Sequence, residues 1–178
     1  MTDALRPLQY GWPVTVETSL RPAGPYRLDQ CARSAGDRTR RYRDGLLSLA
    51  FESAGEPALA LVWQRPDGAL GVRLESREPE AALDVLRFVL ATDADHTEFL
   101  RRFRSDRLLG RTISRLRGLR PLRTGTVTHS LVKALCGQLI AAREARRIEA
   151  RLLACLTPEH GGLNLPPTRA AFAPLAPA

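Results

Sequence analysis

Lysine is nearly missing from this sequence: of its 27 basic residues only Lys133 is lysine, and the rest are arginine. Long apolar runs are missing too. None approaches the roughly 18 residues that a membrane-spanning helix needs, and the longest are short stretches such as Ala58–Trp63. The start, Met1 to Tyr10, lacks the apolar core of a secretion signal. Cysteine is sparse: Cys31, Cys136 and Cys155 are far apart, form no CxxC pair and are odd in number. Neither a complete disulfide set nor structural zinc is therefore expected. The histidines His96, His129 and His160 are equally dispersed. A membrane span and classical secretion are thus not expected, and a reducing cytoplasm is. Catalytic signatures are also lacking: there is no GxSxG, P-loop, HExxH or GxGxxG.

What is present is a globular composition, 44% hydrophobic and 26% charged over 178 residues. That suffices for one ordinary domain, or one small domain plus part of another. The net charge is +8, and its distribution says more than its total. Residues 1–100 carry 12 basic and 15 acidic residues, a balance of −3. Residues 101–155 carry 14 basic and 3 acidic residues, a balance of +11. A GC-rich genome accounts for arginine in place of lysine. It does not account for the segregation, which suggests a polyanion partner, because arginine offers phosphate a planar bidentate fork.

The chain reads as α+β. Residues 1–37 are irregular, interrupted by Pro7, Pro13, Pro22 and Pro25, with a short strand at Val14–Thr18. Leu46–Glu52 and Leu70–Ser76 alternate apolar and polar residues, and Ala58–Gln64 is apolar, so three strands follow. Pro66-Asp67-Gly68 turns the last two into a hairpin. From Pro79 the period becomes helical, with Ala82, Val85, Leu86, Val89 and Leu90 on one face. Residues 1–92 thus read as a small antiparallel sheet with a packed helix.

Beyond this point only helices are expected: His96–Phe103, Leu108–Leu116, and a longer one capped by Thr126 or Thr128. Hydropathy turns Val127, Leu131, Ala134 and Leu135 inward on the longer helix. The pattern slips at Gly137–Ile140. A further helix over Ala141–Leu156 turns Ala145, Ile148, Leu152 and Leu156 inward. Thr157–Pro167 reads as a loop and Thr168–Leu175 as the opening of another helix. Two helices with strong apolar faces need partners that this stretch does not supply.

Two groups invite a catalytic reading and do not carry it. Asp93, Asp95 and Glu98 suit a helix start, where acid complements the dipole. His129, beside a capping threonine, reads as structural and not as a general base.

The segment Val127–Leu156 is different. Its helix–GQL–helix pattern with a flanking arginine-rich face resembles the DNA-3-methyladenine glycosylase II family of the helix-hairpin-helix superfamily. Upstream, Gly118-Leu119-Arg120-Pro121 is similar to the loop that precedes this helix pair. Asp95–Leu100 and Asp106–Gly110 look like the linker helices of actinobacterial members. Downstream, His160–Leu163 and Pro166–Thr168 are similar to the loop before the next family helix. The resemblance covers about residues 93–178; residues 1–92 match in α+β character and length.

The resemblance implies an N-terminal α+β domain over 1–92. It implies linker and opening helices of an incomplete all-α glycosylase domain over 93–178. Such enzymes flip an alkylated base out of double-stranded DNA and hydrolyse its glycosidic bond, without metal or cofactor. Leu139 is the implied wedge that fills the hole in the stack, Gln138 the polar neighbour facing the opposite strand, and Arg143 a phosphate contact. Arg147 and Arg151 continue the same stripe, with Glu144 and Glu149 as partial compensation. Tyr10 and Trp12 lie near a region where some members place a pocket aromatic. The family's LPGIGxWTA turn, and the catalytic aspartate after it, have no counterpart among the 178 residues. No catalytic residue is therefore assigned, and the expectation is a truncated glycosylase. Two alternatives stand beside it: a non-catalytic DNA-binding module, and an interaction protein completed by a partner chain.

Overall fold

The computed structural model describes residues 13–33, 36–139 and 141–173; Tyr10, Trp12 and the side chain of Leu139 lie outside the described residues. Five strands form one antiparallel sheet: β1 (Val14–Leu20), β2 (Arg40–Arg43), β3 (Leu46–Ser53), β4 (Glu56–Gln64) and β5 (Leu70–Ser76), in the order β1-β5-β4-β3-β2. Two of its hairpins close through two-residue turns with both central φ angles positive, Asp44-Gly45 (51° and 81°) and Ala54-Gly55 (52° and 79°). Such turns match the right-handed twist of the flanking strands.

One face of the sheet carries the main core. Leu47, Leu49, Phe51, Val62, Val72 and Leu74 meet Leu86 and Leu90 of the helix α2 (Pro79–Val89) and its end. A short helix, α1 (Leu28–Ala32), closes one side through Leu28 and Cys31. The opposite face is covered in part by a segment whose sequence reads as a loop. The strands β6 (Glu159–His160) and β7 (Leu163–Asn164) form a small hairpin that packs Leu163 and Leu165 on Ala50 and Leu59.

The remaining helices are α3 (Thr97–Arg102), α4 (Gly110–Arg115), α5 (Val127–Leu139), α6 (Ala142–Leu156) and α7 (Arg169–Phe172). No helix among the described residues is long and apolar enough to cross a membrane. The loop between α4 and α5 is fastened by Arg120, which is almost wholly buried. Its guanidinium donates to the carbonyls of Ala91 (3.0 Å), Pro25 (3.0 Å) and Ala23, and lies 5.3 Å from the centre of the Tyr26 ring. Three carbonyls and a π face take the place of the carboxylate that a buried cation ordinarily requires. The Gly118-Leu119-Arg120-Pro121 motif thereby joins the helical segment to both ends of the sheet unit.

Candidate nucleic-acid interface

The helices α5 and α6 are consecutive and pack against each other. Thr126 starts α5: its hydroxyl accepts the His129 amide at 3.1 Å and donates to the Pro167 carbonyl at 2.7 Å. Of the two threonines that could cap this helix, Thr126 is the one used. At the far end Gly137 and Gln138 are exposed, and a Cβ on Gly137 would meet nothing within 4 Å. The start of α6, after Ala141, has no side-chain cap, which leaves its first amides without a capping side chain at the positive end of the dipole. Arg143, the second residue of α6, is exposed there. Gln138 and Arg143 thus flank one turn.

The faces of these helices differ from the hydropathy pattern. That pattern turns Val127, Leu131 and Leu135 inward, yet they are 78%, 57% and 62% exposed. The residues of α5 that are buried are His129 and Val132. On α6, Ala145, Glu149 and Leu153 are buried while Ile148 is exposed. The cause is an ionic cluster at the centre of the contact with the sheet unit. Asp37, in the loop before β2, receives Lys133 Nζ at 2.7 Å and Arg40 Nε at 3.2 Å. Its other oxygen accepts the Thr39 amide (2.8 Å) and hydroxyl (2.6 Å). Glu149 receives His129 Nε2 at 3.0 Å and Lys133 Nζ at 3.2 Å. Since a carboxylate only accepts, Nε2 carries the proton in this contact.

Burial pushes the Asp37 carboxyl up, but the charges of Arg40 and Lys133 outweigh it and hold the group down at about 2. Glu149 is likewise penalised by burial and still held below the ordinary glutamate value by His129 and Lys133. Two carboxylates thus share two cations in a neutral knot. The turn of α5 toward the sheet follows this pairing and not the apolar stripe. Glu149 consequently faces away from Arg143, Arg147 and Arg151, and offers that stripe no compensation. Among the described residues Glu144 is the acid that reaches it, at 3.4 Å from Arg147.

Asp37, His129 and Glu149 also present ligand atoms within 4.8 Å of one another, a spacing that a metal ion would accept. The Lys133 ammonium stands between the two carboxylates, with Arg40 beside Asp37. A divalent ion would have to expel the first and bear the repulsion of the second. The residues present fit a lysine-bridged pair better than a metal centre.

The acidic group near α3 plays a structural part. Asp93 pairs with Arg123 at 2.8 Å. Asp95 accepts the amide (2.8 Å) and hydroxyl (2.5 Å) of Thr97 at the start of α3.

No protein-family model and no curated relative matches the chain. Solved structures do. A 3-methyladenine DNA glycosylase from Archaeoglobus fulgidus superposes with a TM-score of 0.73 at 18% identity, over 87% of this chain and 57% of that one. The structure of MBOgg1 in complex with a low-affinity DNA ligand gives 0.65 at 14% identity, over 90% and 56%. The Clostridium acetobutylicum 8-oxoguanine glycosylase/lyase, in complex with double-stranded DNA containing cytosine opposite 8-oxoguanine, gives 0.62 at 13% identity, over 90% and 56%. The chain spans a little over half the length of these structures, and across that span it has the fold found in DNA glycosylases.

Proposed function

We propose that the protein acts on DNA as part of a base-excision apparatus for alkylated bases, with the α5–α6 turn as its contact with a flipped-out nucleotide. The observation that carries this reading is the exposure of Gly137, Gln138 and Arg143 where α5 ends and α6 begins. A glycine and a glutamine stand open to solvent, followed by an uncapped helix start with Arg143 beside it, in a chain folded like DNA glycosylases. A helix start of this kind attracts phosphate. Leu139 is the wedge, Gln138 contacts the opposite base, and Arg143 holds the backbone. On this reading residues 1–92 form the α+β companion and residues 93–178 the opening of the helical glycosylase domain. Within these 178 residues the part assigned to the α5–α6 junction is DNA contact, and no catalytic residue is assigned.

The test is Leu139→Ala with two duplexes, one intact and one carrying an abasic analogue. A wedge recovers part of the unstacking cost only at a gap. The substitution should weaken abasic binding about tenfold and leave intact-duplex binding and the melting temperature nearly unchanged. A large loss of melting temperature with an unchanged affinity ratio would overturn the wedge. Failure of the wild-type chain to bind any duplex at low salt would overturn the DNA reading.

A second reading is favoured by the apolar stripe Val127, Leu131 and Leu135, which recurs at every fourth residue of α5 and is exposed. A stripe of this size is the kind of surface that other helices cover. On this reading a partner chain supplies them, and co-expression with that partner would protect the stripe from solvent.

A further inference from the structure

Between α3 and α4 lies a cleft of about 450 Å³ whose chemistry the α5–α6 turn does not explain. Arg101, Arg104 and Arg117 line it above a floor of Leu100 and Ile113, and no carboxylate lines it. Arg101 is paired with Glu98, three residues earlier on α3, through an exposed contact at 3.3 Å. Arg104 and Arg117 have no carboxylate partner among the described residues. The hydroxyls of Thr97 and Ser114, also in the wall, already donate to Asp95 and to the Gly110 carbonyl. The available donors are therefore guanidinium groups.

The cleft is built by two close approaches of backbone. A Cβ on Gly110 would fall 2.5 Å from the Arg104 carbonyl oxygen, so only glycine lets α4 begin against Arg104. A Cβ on Gly118 would fall 2.6 Å from the Arg27 amide nitrogen, and that amide donates to the Gly118 carbonyl at 2.9 Å. The backbone is thereby fixed on either side of α4, and Arg104 and Arg117 both line one opening. Like charges gathered without acid repel each other, at a cost in stability that an anion removes.

We propose that this cleft binds a phosphate of the DNA backbone, as a second contact separate from the α5–α6 turn; it rests on the DNA reading above. Arginine matches phosphate in geometry as well as charge. The floor is aliphatic, with no aromatic ring to stack a base and no carboxylate or amide to read a base edge or a sugar hydroxyl. A cleft of this composition recognises phosphate alone, which is the sequence-independent contact that fixes register on a duplex. A free nucleotide would find a partner for its phosphate and none for its base.

The experiment is fluorescence anisotropy with a labelled duplex over a range of salt concentrations. It compares wild type, the pair Arg104→Ala/Arg117→Ala, and the control pair Arg111→Ala/Arg115→Ala. The control removes the same charge from exposed positions on α4 that do not line the cleft. Two lost phosphate contacts should make the slope of log affinity against log salt shallower by about 2, and weaken binding about tenfold at moderate salt. The control pair should change the slope by less than about 0.5. Arg104→Lys/Arg117→Lys keeps the charge and should retain most of the slope, which guards against a folding defect in the alanine pair. Equal effects of the two alanine pairs would reduce the cleft to general surface charge and overturn the proposal. A wild-type chain that binds DNA while the cleft pair keeps both slope and affinity would overturn the cleft alone. A wild-type chain that binds no DNA would sink the functional reading itself. Micromolar binding of inorganic phosphate or a mononucleotide, lost in the cleft pair with duplex binding intact, would make this a small-molecule site and overturn the backbone assignment.

Discussion

The sheet unit and the α5–α6 hairpin are held by different forces. The sheet with α2 buries a continuous apolar core in which Val62, Leu70, Val72, Leu74 and Leu86 are wholly inaccessible. The hairpin meets the sheet unit through Asp37, Arg40, His129, Lys133 and Glu149, and leaves the apolar stripe of α5 outside. Apolar burial is insensitive to acid and tolerant of salt, whereas an ionic knot is neither. The first should melt as one unit; the second should open separately, and under different conditions.

The largest effect should come from the core. Leu86→Ala removes a side chain with no exposure, beneath the sheet, and should cost about 2–5 kcal/mol. Thermal melting should show the whole molecule destabilised by a similar amount at pH 4 and pH 7. A loss confined to the hairpin would show that the two regions do not depend on one another in this way.

Next comes Asp37→Asn, which leaves Arg40 and Lys133 facing each other without their shared anion. Breaking a fully buried pair costs about 3–5 kcal/mol. Lys133 is one-third exposed, so water softens the loss to about 2–3 kcal/mol. Hydrogen exchange should report it in α5 and α6, with the amides of β3, β4 and β5 little changed. Uniform loss across both regions would break the comparison.

The pH response sharpens it. The Asp37 pKa falls from an ordinary 3.8 to about 2 on folding. A carboxylate with a depressed pKa contributes stability that is fully present above its unfolded value. That contribution is lost as pH falls through the folded value. Stability of the hairpin contact should therefore decline from about pH 4 toward pH 2, and Glu149, also depressed, adds to the decline. Circular dichroism melts of wild type and Asp37→Asn over this window should converge at the acid end. Parallel curves would show that Asp37 is not the group responsible.

The smallest effect belongs to the stripe. Leu131→Glu, at an exposed position, should change stability by less than about 0.5 kcal/mol. It should reduce self-association in sedimentation velocity. Destabilisation by several kcal/mol would mean that the stripe is covered after all.

The difference between the regions also decides what the sequence reveals. In β3, β4 and β5 the same residues that set the period bury the core, so alternation finds the strands and their hairpin. β2 is Arg40–Arg43, three arginines and a tyrosine with no apolar alternation, and only Asp44-Gly45 signals its turn. The small hairpin β6–β7 is two residues a strand and depends on Ala50 and Leu59 for its existence. Hydropathy points Val127, Leu131 and Leu135 of α5, and Ile148 of α6, the wrong way, because partners distant in the chain turn the helices. Asp37 and Lys133 are 96 residues apart, and nothing local in either segment announces that they meet. Thr126 as cap is legible, being local; the hydropathy pattern slips from Gly137 onward, yet α5 continues through Gly137 and Gln138 to Leu139 before α6 begins at Ala142. The arginines of the α3–α4 cleft stand out as charge, but their convergence depends on Gly110 and Gly118, whose close contacts are tertiary.

The shared lysine has a practical consequence. Apart from the chain's amino terminus, Lys133 is the molecule's one primary amine, and it is engaged by two carboxylates in the folded state. An amine-selective acylating reagent therefore finds a single internal target, and reacts with it when the amine is released from the two carboxylates. The rate at which that one site is tagged, read by mass spectrometry after digestion, becomes a clock for how often the helical hairpin lifts from the sheet.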